Sequence, residues 1–137
     1  KAMDLKDWEL KNPTPFVVFV SPPKDYTDHL TGKTIKAEEV DFLARMIILR
    51  KMHQTFAGSV SCVTGMAGIV PGTVANEMAK PAADQKTIRI GHPAGVIDVE
   101  AECDITSDGV TARRVTYSRT ARRIMEGYVY VPNYVFE

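Results

Sequence analysis

Three stretches of this chain carry side chains and backbone able to do chemistry. The first is HQTFAGSVSCVTGMAGIVPGT, residues 53–73. It offers His53 as an acid or base that titrates near neutrality. It also offers the turn Gly58-Ser59-Val60-Ser61 at the expected start of a helix, and the thiol of Cys62. Backbone N–H groups at a helix N-terminus lack intrahelical partners and carry partial positive charge, so they suit a carboxylate or phosphate. The hydroxyls of Ser59 and Ser61 would add donors, or a serine would simply cap the helix. A thiol at such a place becomes nucleophilic if its pKa falls, or packs as a small residue. The second stretch is GHPAG, residues 91–95, where two glycines around His92 and Pro93 let backbone approach a ligand or merely satisfy a turn. The third is the arginine set Arg113, Arg114, Arg119, Arg122 and Arg123, a potential clamp for an anion or an ordinary solvated face.

Elements must position these groups. PFVVFVSPP has the length and β-branched content of a buried strand, closed by Pro22 and Pro23. KDYTDHLTGKTIK is polar and reads as a loop. Val40, Leu43, Ala44, Ile47 and Ile48 recur at helical spacing. Glu38 and Glu39 precede them and Arg50 and Lys51 follow, as a helix dipole favours, so a helix is predicted over 37–52 with His53 at its C-terminal end. VTGMAGIV is small and apolar throughout, a helix suited to enclosure that Pro71 and Gly72 stop. A loop is expected from there through Pro81. TIRIGHPAGVIDVEAECD reads as a β-hairpin, with Ile88 and Ile90 alternating on one arm and Ile97, Val99, Ala101 and Cys103 on the other. A turn at Ser107-Asp108-Gly109 leads into a third strand, VTARRVTYSR. The class is α+β.

Composition narrows the function. The 137 residues fit one domain or one lobe of a larger protein. Lys plus Arg and Asp plus Glu are 17 each, so no net charge draws the chain to nucleic acid or an acidic membrane. The two cysteines make no disulfide framework, and with three scattered histidines they show no zinc spacing. Reduced thiols and a cytoplasmic setting are expected, no apolar run reaches membrane-spanning length, and GxGxxG, Walker A and GxSxG motifs are absent. The chain begins at Lys1, so a removed leader is compatible with it.

Taken in order, MHQTFAGSVS…VPGTVANE, IRIGHPAGVIDVEAE and YSRTARRIMEGYVYVP resemble one family, with PPKDYTDHLTGKTIKAEEVDFLAR fitting the region before them. It is the 2-methylaconitate cis-trans isomerase family, which includes aconitate and methylitaconate Δ-isomerases and 4-oxalomesaconate tautomerase. The resemblance runs from about Pro13 to Pro132 and is to the C-terminal part. It implies one lobe of a diaminopimelate-epimerase-like fold: a mostly antiparallel curved sheet wrapped around a central helix, with substrate held between two lobes. Residues 1–137 would form that single C-terminal lobe, 1–14 being a lead-in, and the N-terminal catalytic lobe would be absent.

The resemblance further implies a reaction without metal or organic cofactor. A proton leaves carbon next to a conjugated, carboxylate-bearing double bond and returns at another allylic position. The matching substrate-binding positions are His53, Gly58, Ser59, His92, Ala94, Gly95 and Arg119. Ala94 stands where the family often has serine; if that serine donates to substrate, this chain lacks the donor. The family's acid/base candidates, a lysine and the cysteine of a Cys-Gly-Asn motif, belong to the other lobe, and no Cys-Gly-Asn occurs here. The chain alone is therefore expected to be inactive, with the N-terminal lobe, a small polycarboxylate and a second copy as candidate partners. The alternative is a non-catalytic polycarboxylate-binding or dimerising module.

Overall fold

A computed structural model describes residues 16–48, 51–81 and 84–135. The predicted lead-in, residues 1–14, lies outside the described residues. The fold is α+β. Its main sheet runs in the order β1 (Val17–Ser21), β4 (Phe42–Ile48), β6 (Thr87–His92), β7 (Gly95–Thr106), β8 (Gly109–Tyr117), with β5 (Lys51–Met52) folded back on β4. Neighbours are antiparallel except β4 and β6, which run parallel through the pairs Phe42↔Ile90 and Leu43↔Gly91. A parallel pair needs a crossover. Here the crossover contains helices α1 (Gly58–Ile69) and α2 (Val74–Ala79). A two-strand hairpin, β2 (Tyr26–Thr27) and β3 (Thr34–Ile35), stands on the other face.

The sequence 37–52 is not a helix. Residues Ala37–Glu39 make one 3₁₀ turn, and β4 follows. Phe42, Ala44 and Met46 face the helices in the main core. Leu43 faces the opposite way, into a smaller cluster with Ile35, Val40 and Tyr26. A strand covered on both faces is apolar at nearly every position. Such a run also contains the three- and four-residue spacings of a helix, so periodicity cannot separate the two. The acidic pair has a local task instead: the Glu39 carboxylate accepts from the Lys36 amide at 2.8 Å and caps the short turn. His53 consequently follows a strand rather than the C-terminal end of a helix.

The helix α1 lies against the sheet through small residues. Gly58, Ser61, Thr64, Gly65 and Gly68 are its buried positions, whereas Val63 on the other side is 71% exposed. A Cβ on Gly65 would overlap the side chain of Val99, and one on Gly68 would press on Ile88 and Phe42 at 3.2–3.3 Å. The sheet curls around this side of the helix only. On the other side, Phe16, Val18, Val20, Val60, Val63 and Val74 line an apolar groove of about 540 Å³.

Helix α2 falls in the segment expected to be loop. Thr73 supplies its N-cap, accepting from the Asn76 amide at 3.1 Å while donating back to the Ala67 and Val70 carbonyls. Asn76 donates to the Gly68 carbonyl at 2.8 Å, joining the two helices. The polar segment before β4 is likewise part hairpin rather than all loop. β1 is present, though as an edge strand with Phe19 57% exposed rather than a buried one. The hairpin β6–β7 and the strand β8 stand where alternation placed them.

Adding a methyl at Gly65 favours helix by up to about 1 kcal/mol but forces it onto Val99, which is fully buried and branched at the point of contact. Gly65→Ala is therefore expected to lower unfolding stability by about 1–3 kcal/mol, and Val99→Ala in the same chain to recover part of the loss. Chemical denaturation checks this; a midpoint at or above wild type would show that α1 is not seated on Val99.

Candidate functional site

The start of α1 is a candidate anion cradle. Its N-cap is Ala57, which has no side chain able to cap. The first intrahelical bond is made by the Ser61 amide to the Ala57 carbonyl at 2.8 Å. The amides of Gly58, Ser59 and Val60 precede it and are the unpaired donors of the first turn. The Ser59 side chain is exposed beside them. Ser61 is different: it is buried and its hydroxyl donates to the Gly58 carbonyl at 2.7 Å, so it adds no donor to a ligand.

Strand β8 delivers two further groups to this helix end. A Cβ on Gly58 would collide with the Tyr117 hydroxyl and meet the Arg119 guanidinium at 3.0 Å. The guanidinium lies over the Tyr117 ring, 5.1 Å from its centroid. Only glycine leaves room for a phenol and a guanidinium at the head of the helix. Amides, hydroxyls and an exposed guanidinium are together groups able to bind a carboxylate.

The other arginines do not join it. Arg113 pairs with Asp104, Arg114 with Glu100 at 3.3 Å and Arg123 with Glu126 at 2.9 Å, all exposed. Arg122 is exposed as well. Cys62 is half-buried along α1, and Cys103 is half-buried beside a β-bulge in β7, lining a different concavity of about 880 Å³ at the far end of α1.

The loop that enters α1 carries His53 and meets His92. Phe56, two residues before Gly58, stacks on His92 with ring centroids 6.4 Å apart. His53 Nδ1 accepts from the Thr55 amide at 3.1 Å, and His92 Nδ1 accepts from the Ala94 amide at 3.2 Å. An amide can only donate, so each neutral ring carries its proton on Nε2 and presents a donor there. Burial lowers the pKa of His92 below 6.5, and the nearby positive charge of Arg45 lowers it further. His92 therefore serves as a neutral donor around neutrality.

The turn GHPAG closes β6 and β7, with His92 paired to Gly95. Gly95 has φ +126°, a conformation that residues with a Cβ rarely adopt. Ala94 is half-buried in the turn, and its amide is taken by His92. Sequence reasoning missed Tyr117 and Phe56. The alternation of Val115 and Tyr117 toward one face of β8 was the available signal for Tyr117.

Comparison with known proteins agrees with this architecture. The family model described as PrpF protein matches residues 2–132. The chain belongs to the PrpF family. A 3-methylitaconate isomerase of Eubacterium barkeri is 44% identical over 127 residues, which are 92% of this chain and 32% of that protein. A 2-methyl-aconitate isomerase of Shewanella oneidensis is 38% identical over 87% of this chain and 30% of that protein. A (4E)-oxalomesaconate Delta-isomerase of a Novosphingobium species is 33% identical over 96% of this chain and 32% of that protein. The crystal structure of a methylitaconate-delta-isomerase superposes with a TM-score of 0.73 at 42% identity, covering 92% of this chain and 32% of that one. The chain thus spans about a third of the length of these PrpF relatives. No helix among the described residues is long and apolar enough to cross a membrane.

The lowered pKa of His92 sets the sign of a pH effect. Its folded value lies below the unfolded 6.5. Below 6.5 the unfolded chain binds the proton more readily, so acidification costs stability until the folded histidine is protonated too. His92→Asn keeps an acceptor for the Ala94 amide and removes the titration. The variant is expected to lose less stability than wild type between about pH 7 and about pH 5. Parallel melting curves for the two proteins would refute it.

Proposed function

We propose that this chain is the carboxylate-binding C-terminal lobe of a cofactor-independent isomerase, one that shifts or inverts the double bond of an unsaturated di- or tricarboxylic acid. The observation that carries the reading is the uncapped start of α1 with Arg119 and Tyr117 packed on Gly58. Membership of the PrpF family, whose matched relatives are named as isomerases of methylitaconate, methylaconitate and oxalomesaconate, supplies the substrate class.

In this reading a base removes a proton from the carbon adjacent to the conjugated double bond. The electron pair spreads through the double bond into a carboxylate. An acid returns the proton at the other allylic carbon, so the product differs only in where the double bond lies or in its geometry. The amides of Gly58 and Ser59, the Ser59 hydroxyl and Arg119 hold a carboxylate and stabilise the charge gathering on it. His53 and His92 present Nε2–H donors toward the same cleft, and the backbone at Ala94 and Gly95 lines it. The base and acid lie outside this chain, in an N-terminal lobe.

Two features support a partner lobe. The chain spans about a third of the relatives' length. From Ser118 to Pro132 it has no regular structure, yet Ile124, Tyr128, Val129 and Tyr130 are 86–99% exposed. Exposed apolar side chains at that density mark a surface made to be covered.

The complete encoded polypeptide, including whatever precedes Lys1, is expected to isomerise at least one of cis-aconitate, 2-methylaconitate and methylitaconate, and the 137-residue chain alone none. Arg119→Gln in the complete polypeptide should raise KM roughly tenfold to a hundredfold, the worth of one charge-assisted hydrogen bond. A polypeptide that leaves all these acids unchanged, or an Arg119 variant with wild-type KM, would sink the proposal.

A further inference from the structure

Outside the cradle, three side chains converge on the back of the GHPAG turn. Tyr26, on β2, donates its hydroxyl to the Gly95 carbonyl at 2.5 Å. His29, in the loop between β2 and β3, holds the Pro93 carbonyl twice, by its own amide at 3.0 Å and by Nδ1 at 2.8 Å. Arg45, on β4, donates to the Gly91 carbonyl at 3.2 Å and to the Ala44 carbonyl at 2.8 Å. The alternate carbonyls of the turn, at 91, 93 and 95, are thus each held from outside the hairpin that makes them.

The three groups also support one another. The Arg45 guanidinium lies over the Tyr26 ring, 5.4 Å from its centroid. The Tyr26 side chain in turn packs beside Gly91, where a Cβ would stand 3.1 Å from its ring edge and hydroxyl and would overlap Leu43. Asp28 shapes the loop that offers His29: its carboxylate accepts from the Leu30 amide and the Thr31 hydroxyl, both at 2.7 Å. Burial pushes the Tyr26 phenol up to about 12, so it stays a donor.

A turn with glycine at both ends has the most backbone freedom to lose. Within GHPAG the His92–Gly95 pair closes the hairpin and the Ala94 amide bonds to His92, while the Gly91, Pro93 and Gly95 carbonyls take donors from elsewhere in the chain. We propose that Tyr26, His29 and Arg45 are positioning residues that fix the GHPAG turn from behind, so that His92 and the backbone at Ala94 and Gly95 meet the substrate carboxylate preorganised. The inference rests on the isomerase reading above. The clamp takes no part in proton transfer. It lowers the ordering cost of binding, which ground state and transition state share, so its loss falls on KM rather than kcat.

The test uses the complete encoded polypeptide, its best substrate among the acids named above, and amide hydrogen exchange at the turn. Tyr26→Phe keeps the ring and removes only the donor. It is expected to raise exchange at Ala94 and Gly95 about tenfold and KM about tenfold, with kcat within about twofold, as a tenfold loss of preorganisation gives. His29→Ala should act alike, and His29→Gln, which keeps an N–H donor, should restore most of the loss. Unchanged exchange, or faster exchange with unchanged KM, overturns the clamp. If Arg119→Gln raises KM while Tyr26→Phe does not, the clamp alone fails. A wild-type polypeptide that turns over none of the acids defeats the isomerase reading and the positioning role with it.

Discussion

The backbone of α1 rests on the sheet with almost no side chain between them, and the rest of the structure depends on that contact. Gly65 meets Val99, Gly68 meets Ile88 and Phe42, and Gly58 meets Tyr117 and Arg119. Interiors pack at crystal-like density, so glycines at i, i+7 and i+10 let the helix backbone approach the sheet more closely than an ordinary amphipathic helix would. Its N-terminus is thereby brought to the end of β8. Larger residues would lift the helix away, and the unpaired amides would face solvent rather than a guanidinium and a phenol.

The candidate site draws on segments far apart in the chain, each set by a different interaction. The entry loop places His53, Phe56 and Gly58. The β6–β7 turn places His92, Ala94 and Gly95. The end of β8 places Tyr117 and Arg119. The stack of Phe56 on His92 ties the first two, and the contact of Gly58 with Tyr117 ties the first and third. The parallel pairing of β4 with β6 is held by Asp41, whose carboxylate accepts from the Arg89 amide at 2.6 Å and guanidinium at 2.8 Å. That latch fixes the register of the strand that carries His92.

Legibility in the sequence followed the solvation of each element. The hairpin β6–β7 was readable because one face meets the core and the other meets water, so Ile88, Ile90, Val99 and Ala101 alternate with polar residues. β4 was not readable, because both its faces are covered and alternation vanishes. α2 was hidden by the Pro71–Gly72 stop before it; its one local sign was Thr73, a capping residue ahead of good helix formers. In the candidate site, Gly58, Ser59, His92 and Gly95 were singled out by residue type, and Arg119 by its place in a motif. Tyr117 was marked only by its alternation with Val115, which reads as core packing, since an aromatic residue in a strand is ordinary.

By itself the sequence determined the class of fold, membership of the PrpF family and the existence of a small-residue helix; that its start is uncapped came from the structure. The first three follow from local composition and from the order of motifs along the chain, which need no knowledge of what lies opposite. Tertiary structure alone decided which donors face the cradle. Ser59 and Ser61 are equivalent in type, yet one lies at the surface and the other turns inward to the Gly58 carbonyl. Five arginines share the third stretch, yet only Arg119 is seen at the helix end. The physical reason is direction: helix phase and strand register set where a side chain points, and both are settled by packing against residues distant in sequence.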